Sequence, residues 1–186
     1  MQLIPPKLEK DRVALVVIDM QERFRTIVHD MPRVVASCSR LIRFCQALSI
    51  PILVTEHYPR GLGKTIPELS RIFQRFDPLE KITFSCLGDD GIQSAWEALD
   101  RDQAILCGIE THVCVYQTAY DLLKTAAQVS LAMDGISSRT RQDREIGLAR
   151  LISLGCAGMS AEMIMFEILQ RAQTEDFKAV SDILKE

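Results

Sequence analysis

Residues 108–114 read Gly-Ile-Glu-Thr-His-Val-Cys. The apolar run Ala104-Ile105-Leu106-Cys107 leads into Gly108 and reads as a strand. A helix pattern follows, from Val113 to Ala127. Cys114 is therefore expected at a strand-to-helix turn, in the first turn of the helix. A thiol there meets the positive end of the helix dipole and unpaired backbone N–H groups. Both favour a thiolate and can cradle an anion. The expectation is a nucleophilic Cys114 of lowered pKa.

A nucleophile needs a base and a counter-charge. Asp19 ends the apolar run Val13–Ile18. Glu56 and His57 follow the short strand Ile52–Thr55, Lys81 opens a weaker strand to Phe84, and Asp134 follows Val129–Met133. In parallel sheets, functional groups collect at the C-terminal strand ends. A carboxylate that takes the thiol proton, an ammonium that holds charge nearby and a thiolate that attacks a carbonyl make up nucleophilic catalysis. On residue type alone each has a plainer reading. Asp19 reads as a turn or cap residue, Lys81 as a solvated lysine, and any one of six cysteines as a core hydrophobe. Cys86 follows the Phe84-Ser85 pair and reads as core filler, with a place near the site as the alternative. Glu110, His112 and Cys114 alternate like metal ligands, but the helix start spoils that geometry.

The elements that must position these groups alternate. Helices are expected at Pro32–Leu48, from a Thr65-x-x-Glu68 capping box to about Phe73, and at Gly91–Leu99 behind Asp89 or Asp90. Further helices are expected at Asp143–Leu154, Ala161–Arg171 and Asp176–Leu184, with a last strand near Ala157–Ser160. Six strands alternating with helices imply a three-layer α/β/α sandwich around a mainly parallel, six-stranded, Rossmann-like sheet. No linker or repeat interrupts it, so residues 1–186 read as one domain.

The 186 residues are 47% hydrophobic and 25% charged, an ordinary globular balance. A net charge of −3 without a basic patch argues against a nucleic-acid partner. No apolar stretch reaches membrane-spanning length, and the N-terminus lacks a signal-peptide core. The cysteines at 38, 45, 86, 107, 114 and 156 form no C-x-x-C, which fits reduced thiols in a cytoplasmic protein.

Three motifs carry a family resemblance: Val16-Val-Ile-Asp19-Met-Gln21 with Phe24, Lys81-x-x-Phe84-Ser85, and Gly108-Ile-Glu-Thr111-x-Val-Cys114-Val. In this order and spacing the chain resembles the isochorismatase-like cysteine hydrolases, from about residue 11 to 160. The stretch Thr55-Glu-His-Tyr-Pro-Arg-Gly-Leu-Gly-Lys-Thr-Ile-Pro-Glu-Leu resembles the isochorismatase domain-containing subgroup. The resemblance implies the isochorismatase-like hydrolase fold and a triad of Asp19, Lys81 and Cys114. It also implies a non-proline cis peptide at Ile109–Glu110, which aims N–H groups near Glu110 and Cys114 at an oxyanion. Two departures stand out. Family members that cleave an enol ether do so without a nucleophile, and several carry glycine where this chain has Cys114, so acyl chemistry is expected. Nicotinamidase-type members bind metal through Asp-x-His-Pro, whereas this chain has Glu56-His57-Tyr58-Pro59; no metal or other cofactor is expected.

Phe24, His57 and Tyr58 are read as pocket residues, with core packing the rival for Phe24 and a plain loop position for His57. The expected activity is hydrolysis of a C–N bond in a small amide, ureide or carbamoyl compound. A non-catalytic oligomeric scaffold is the alternative. A homo-oligomer is expected, from the family and from the exposed-looking Met163, Ile164 and Phe166.

Overall fold

A computed structural model describes residues 6–186. Six strands form one sheet: β1 (Val13–Ile18), β2 (Ile52–His57), β3 (Leu79–Lys81), β4 (Gln103–Ile109), β5 (Gln128–Ser137) and β6 (Ala157–Met159). Their order is β3-β2-β1-β4-β5-β6. Every pairing is parallel, rather than mainly so. The chain leaves β1 toward one edge and returns to β4 to build the other. The order therefore reverses between β1 and β4, the position at whose C-terminal strand ends parallel α/β sheets generally bind ligands.

Every residue of β1 and β4 is buried, as expected of strands covered on both faces. Their side chains sort by parity. Val13, Leu15 and Val17 join one apolar cluster with Ile105, Cys107 and Ile109. Ala14, Val16 and Ile18 join the other with Ala104 and Leu106. The first cluster is closed by α1 (Met31–Ala47), α3 (Pro67–Ser70), α7 (Ala161–Leu169) and α8 (Glu175–Val180). The second is closed by α4 (Asp90–Ala98), α5 (Tyr116–Lys124) and α6 (Arg141–Ser153). A one-turn helix, α2 (Pro59–Leu62), follows β2.

Two local features shape these strand ends. Gly108 pairs with Ile18 and has φ +112°; a Cβ there would meet the Ile18 carbonyl oxygen at 2.1 Å. Only glycine lets β4 lie this close to the end of β1. Beyond it, Leu106 pairs with Leu131 but Gly108 pairs with Ile136, so β5 bulges. Arg33 and Arg144 donate to the carbonyls of Met133, Asp134 and Ile136 along the bulge.

Several boundaries differ from the sequence reading. The Thr65 capping box does not form. The buried Glu56 carboxylate accepts the Thr65 N–H at 2.7 Å, the cap position falls on Ile66, and the helix stops at Ser70. Lys81 ends β3 instead of opening a strand, because residues 82–85 curl back over its ammonium. The expected Val113–Ala127 helix splits into a π-helical turn, Thr111–Val115, followed by α5. Ile164 is fully buried in the α7 seam, while Met163 and Phe166 are exposed. Among the described residues no helix is long and apolar enough to cross a membrane.

Candidate active site

Asp19 is the first residue beyond β1. It takes a left-handed backbone, φ +53°, uncommon for a side-chain-bearing residue. The turn is held at both ends. The Asp19 N–H donates to the Thr55 carbonyl at 3.2 Å, and the Gln21 N–H donates to the Asp19 carbonyl at 2.8 Å. The kink drops the carboxylate over the end of β2. There Oδ2 accepts from Lys81 Nζ at 2.7 Å and Oδ1 accepts from Thr55 Oγ1 at 2.7 Å.

Lys81 reaches this point from the sheet edge. Register sets it opposite His57 at the end of β2, one strand away from β1. Its ammonium also donates to the carbonyls of Thr83 at 3.2 Å and Phe84 at 3.4 Å. The side chains of Lys81 and Asp19 are 0% and 1% exposed. Burial alone would pull the Lys81 pKa down. The combined attraction of Asp19, Cys86 and Cys114 with the Asp19 hydrogen bond outweighs it, so the pKa is raised and the ammonium stays charged. A buried ion pair with its oxygens and protons occupied is tolerable; either partner alone would be a costly buried charge.

Cys114 arrives from β4. The Ile109–Glu110 peptide is cis. The Glu110 carbonyl then accepts from the N–H groups of Val113 at 3.0 Å and Val115 at 3.2 Å, closing the turn that carries Cys114. The three alternating side chains go to three different partners. The Glu110 carboxylate accepts from Arg139 N at 2.9 Å and Nε at 3.1 Å, His112 Nδ1 lies 2.9 Å from Ser138 Oγ, and Cys114 faces Asp19. Among the described residues no group of three or more His, Cys, Asp or Glu side chains is arranged to hold a metal ion.

The expected low pKa at Cys114 is not found. The thiol is 7% exposed, and its pKa is raised well above the usual thiol range. Burial is the largest cause; the Asp19 charge and a hydrogen bond to Asp19 add to it, and Lys81 opposes them. The helix-terminus argument fails because the turn is buried and the effect of the Asp19 charge exceeds that of Lys81. At rest, Cys114 is a buried, protonated thiol within reach of the Asp19 charge.

Two side chains of this site were not singled out for it in the sequence. Thr55 is fully buried and bonds Asp19 directly. Its signal was the pairing of Ile18 with Thr55, which the sequence alone does not disclose. Cys86, read as filler, lies with Sγ 3.8 Å from Thr55 Oγ1. Its pKa rises to about 11, mainly through burial, with Lys81 opposing and Asp19 adding.

The expected pocket residues separate. A cavity of about 340 Å³ opens beside Lys81, walled by Tyr58, Pro59, Arg60, Ile82 and the acidic Glu80 and Asp89. Tyr58 stands at its mouth, 54% exposed. His57 is half-buried with its ring centroid 5.5 Å from that of Phe84. Burial and then repulsion from Lys81 lower its pKa, so the ring is neutral at pH 7. Phe24 packs against the α1-side cluster instead of this wall.

Residues 13–163 match the family model described as Isochorismatase domain. The Danio rerio protein "Isochorismatase domain-containing protein 2" is 37% identical over 171 residues, covering 91% of this chain and 85% of that protein. The Mus musculus "Isochorismatase domain-containing protein 2B" is 37% identical over 173 residues, 92% of this chain and 80% of the relative. Among solved structures, the Caenorhabditis elegans protein described as MAR1 ribonuclease superposes with TM-score 0.91 at 31% identity, covering 97% of this chain and 93% of that one. The Escherichia coli YcaC gene product, described as an octameric hydrolase of unknown specificity, gives TM-score 0.90 at 19% identity, over 97% and 91%. At that identity the likeness shows the fold alone.

Proposed function

Because this chain belongs to the isochorismatase family and has its hydrolase fold, we propose that it is a cysteine hydrolase acting on a C–N bond of a small amide, ureide or carbamoyl compound. The observation that carries the reading is the buried Asp19–Lys81 pair, 2.7 Å apart, beside the Cys114 thiol.

The chemistry follows from the resting state. A substrate carbonyl enters against Cys114. Asp19 takes the Sγ proton as sulfur bonds to the carbonyl carbon, so the nucleophile is ionised during attack. N–H groups near Glu110 and Cys114 hold the oxyanion that forms. The C–N bond breaks as Asp19 returns the proton to the leaving nitrogen, which leaves a thioester on Cys114. Asp19 next takes a proton from water; the hydroxide attacks the thioester, and the thiolate leaves and recovers that proton from Asp19. Lys81 remains an ammonium throughout and keeps the carboxylate in place. No step draws on a metal or cofactor. Tyr58, in the wall of the cavity beside Lys81, and His57 are the residues proposed to meet the substrate's far end.

The active unit is taken to be one domain spanning residues 1–186, cytoplasmic, with its six thiols free, and assembled as a homo-oligomer. The exposed Met163 and Phe166 on α7 support assembly. Light scattering would return a multiple of 21.0 kDa; a monomer at micromolar concentration would refute it. The C. elegans relative described as a ribonuclease favours a second reading, RNA as substrate. The chain's charge of −3 opposes phosphate-backbone binding. The test is a screen of purified protein and C114A against amides, ureides, carbamoyl compounds and single-stranded RNA. Cys114-dependent release of amine or ammonia supports the amide reading; RNA cleavage with no amide turnover replaces it. Turnover equal in both proteins refutes Cys114 as the nucleophile; turnover absent throughout leaves the scaffold reading.

A further inference from the structure

A carboxylate that shuttles a proton must be held in one orientation, and the Asp19–Lys81 ion pair alone does not set one. Lys81 is a rotatable donor occupying Oδ2 only. Gln21 holds the Asp19 carbonyl from the other side of the turn, but the hold on the Asp19 N–H and the second hydrogen bond to its carboxylate both come from one residue, Thr55. Its carbonyl accepts the Asp19 N–H at 3.2 Å, helping to fix the left-handed turn, and its hydroxyl donates to Oδ1 at 2.7 Å. A hydroxyl has one proton. With that proton given to Asp19, Thr55 Oγ1 is left as an acceptor, and the Cys86 thiol lies 3.8 Å from it. Cys86 is in turn tethered to α5, where its N–H donates to Thr118 Oγ1 at 2.9 Å. Thr55, Cys86 and Thr118 are all fully buried, so water cannot substitute for any of these bonds.

Resting on the hydrolase reading, we propose that Thr55 is the positioning residue of the base: backed by Cys86, it locks the Asp19 carboxylate so that its free lone pairs face Cys114. Thr55 touches no reacting atom. Its β-branched side chain suits a buried strand, but Val would suit it equally. The hydroxyl is what the packing does not require.

The test uses T55V, which keeps the shape and removes the donor, and T55S, which keeps the donor. T55A replaces T55V if that protein does not fold, judged by circular dichroism. The first readout needs no substrate: the pH midpoint of Cys114 carboxamidomethylation by iodoacetamide, followed by peptide mass spectrometry. The groups facing Cys114 are Asp19 from the end of β1, Lys81 from β3 and Cys86 from the turn before α4. Asp19 raises this thiol, so a carboxylate released from Thr55 swings away and the midpoint falls, by on the order of one pH unit. T55S leaves the midpoint where it is in the wild type. The second readout is p-nitrophenyl acetate hydrolysis. T55V lowers kcat by roughly 10–100-fold, the range for a lost hydrogen bond to a charged group, with little change in KM. T55S restores kcat to within about threefold of the wild-type value. C86A gives a smaller loss than T55V. An unchanged alkylation midpoint in T55V, or equal losses in T55V and T55S, overturns the proposal. C114A turning over the ester like the wild type would instead overturn the hydrolase reading, and the alkylation arm would still decide Thr55.

Discussion

Cysteines lie on both faces of the sheet. Cys38, Cys45 and Cys107 belong to the α1-side cluster; Cys86, Cys114 and Cys156 belong to the cluster beneath α4, α5 and α6. On the α1 side burial holds Cys45 far above the ordinary thiol range, and Cys107 is held up by its hydrogen bond with Cys38 and by burial. Cys114, across the sheet, is also raised. Resting ionisation therefore does not separate the nucleophile from core thiols. What separates them is the neighbour. Cys114 faces a carboxylate able to take its proton, held by an ammonium and a hydroxyl; Cys45 is pushed up by burial alone.

The largest effect should break that comparison outright. C114A and D19N each remove a member of the proton-transfer pair and should lower turnover by at least about 10³-fold, with the fold intact by circular dichroism. C45A, on the other face, should leave kcat within about twofold and cost on the order of 1 kcal/mol of stability by urea unfolding. Comparable losses of kcat on the two faces would remove the distinction.

The next effect falls on stability. K81M leaves the Asp19 carboxylate buried without its cation and should cost roughly 3–5 kcal/mol. Adding D19N to it should recover part of the loss, since a neutral amide is cheaper to bury than a lone charge. Urea midpoints check both. K81M unfolding at the wild-type midpoint would mean the pair holds nothing together.

A smaller effect sharpens the electrostatics. Asp19's negative charge disfavours the Cys114 thiolate, so D19N should lower the pH midpoint of Cys114 alkylation and speed the reaction at pH 7. Lys81 favours the thiolate, so K81M should move the midpoint upward. Cys45 should keep its slow rate in both variants. D19N and K81M shifting the same way would contradict these signs. The smallest effect is none at all: overnight EDTA should leave turnover unchanged, and loss restored by added zinc would assign a metal to the site.

The sequence disclosed most where the signal was local. Each residue of Val13–Ile18 is apolar, and the strand has those bounds. The first long helix was read one residue late, and Asp89 was one of two caps considered; its carboxylate accepts from Gly91 and Ile92. Where long-range partners decide, the reading failed. Thr65 looked like a helix cap until the buried Glu56 claimed its N–H. β3 is too short to show a period, so Lys81 was put at its start and not its end. The thiol's ionisation depended first on burial and then on Asp19, remote in sequence and brought near through the β1–β4 pairing. Thr55 was invisible for the same reason, since only register brings it beside Ile18. Phe24 and Ile164, read as pocket and exposed residues, pack against or within the α1-side core.

The central claim is that Cys114 carries the acyl group. Wild-type protein mixed with p-nitrophenyl acetate, quenched in acid within the first turnover and digested, should show one acetyl group as a thioester on the peptide containing Cys114. C114A should show no acetylated cysteine and no burst of p-nitrophenol. An acetyl group mapped to Cys86 or another cysteine, or a full burst from C114A, would contradict the account.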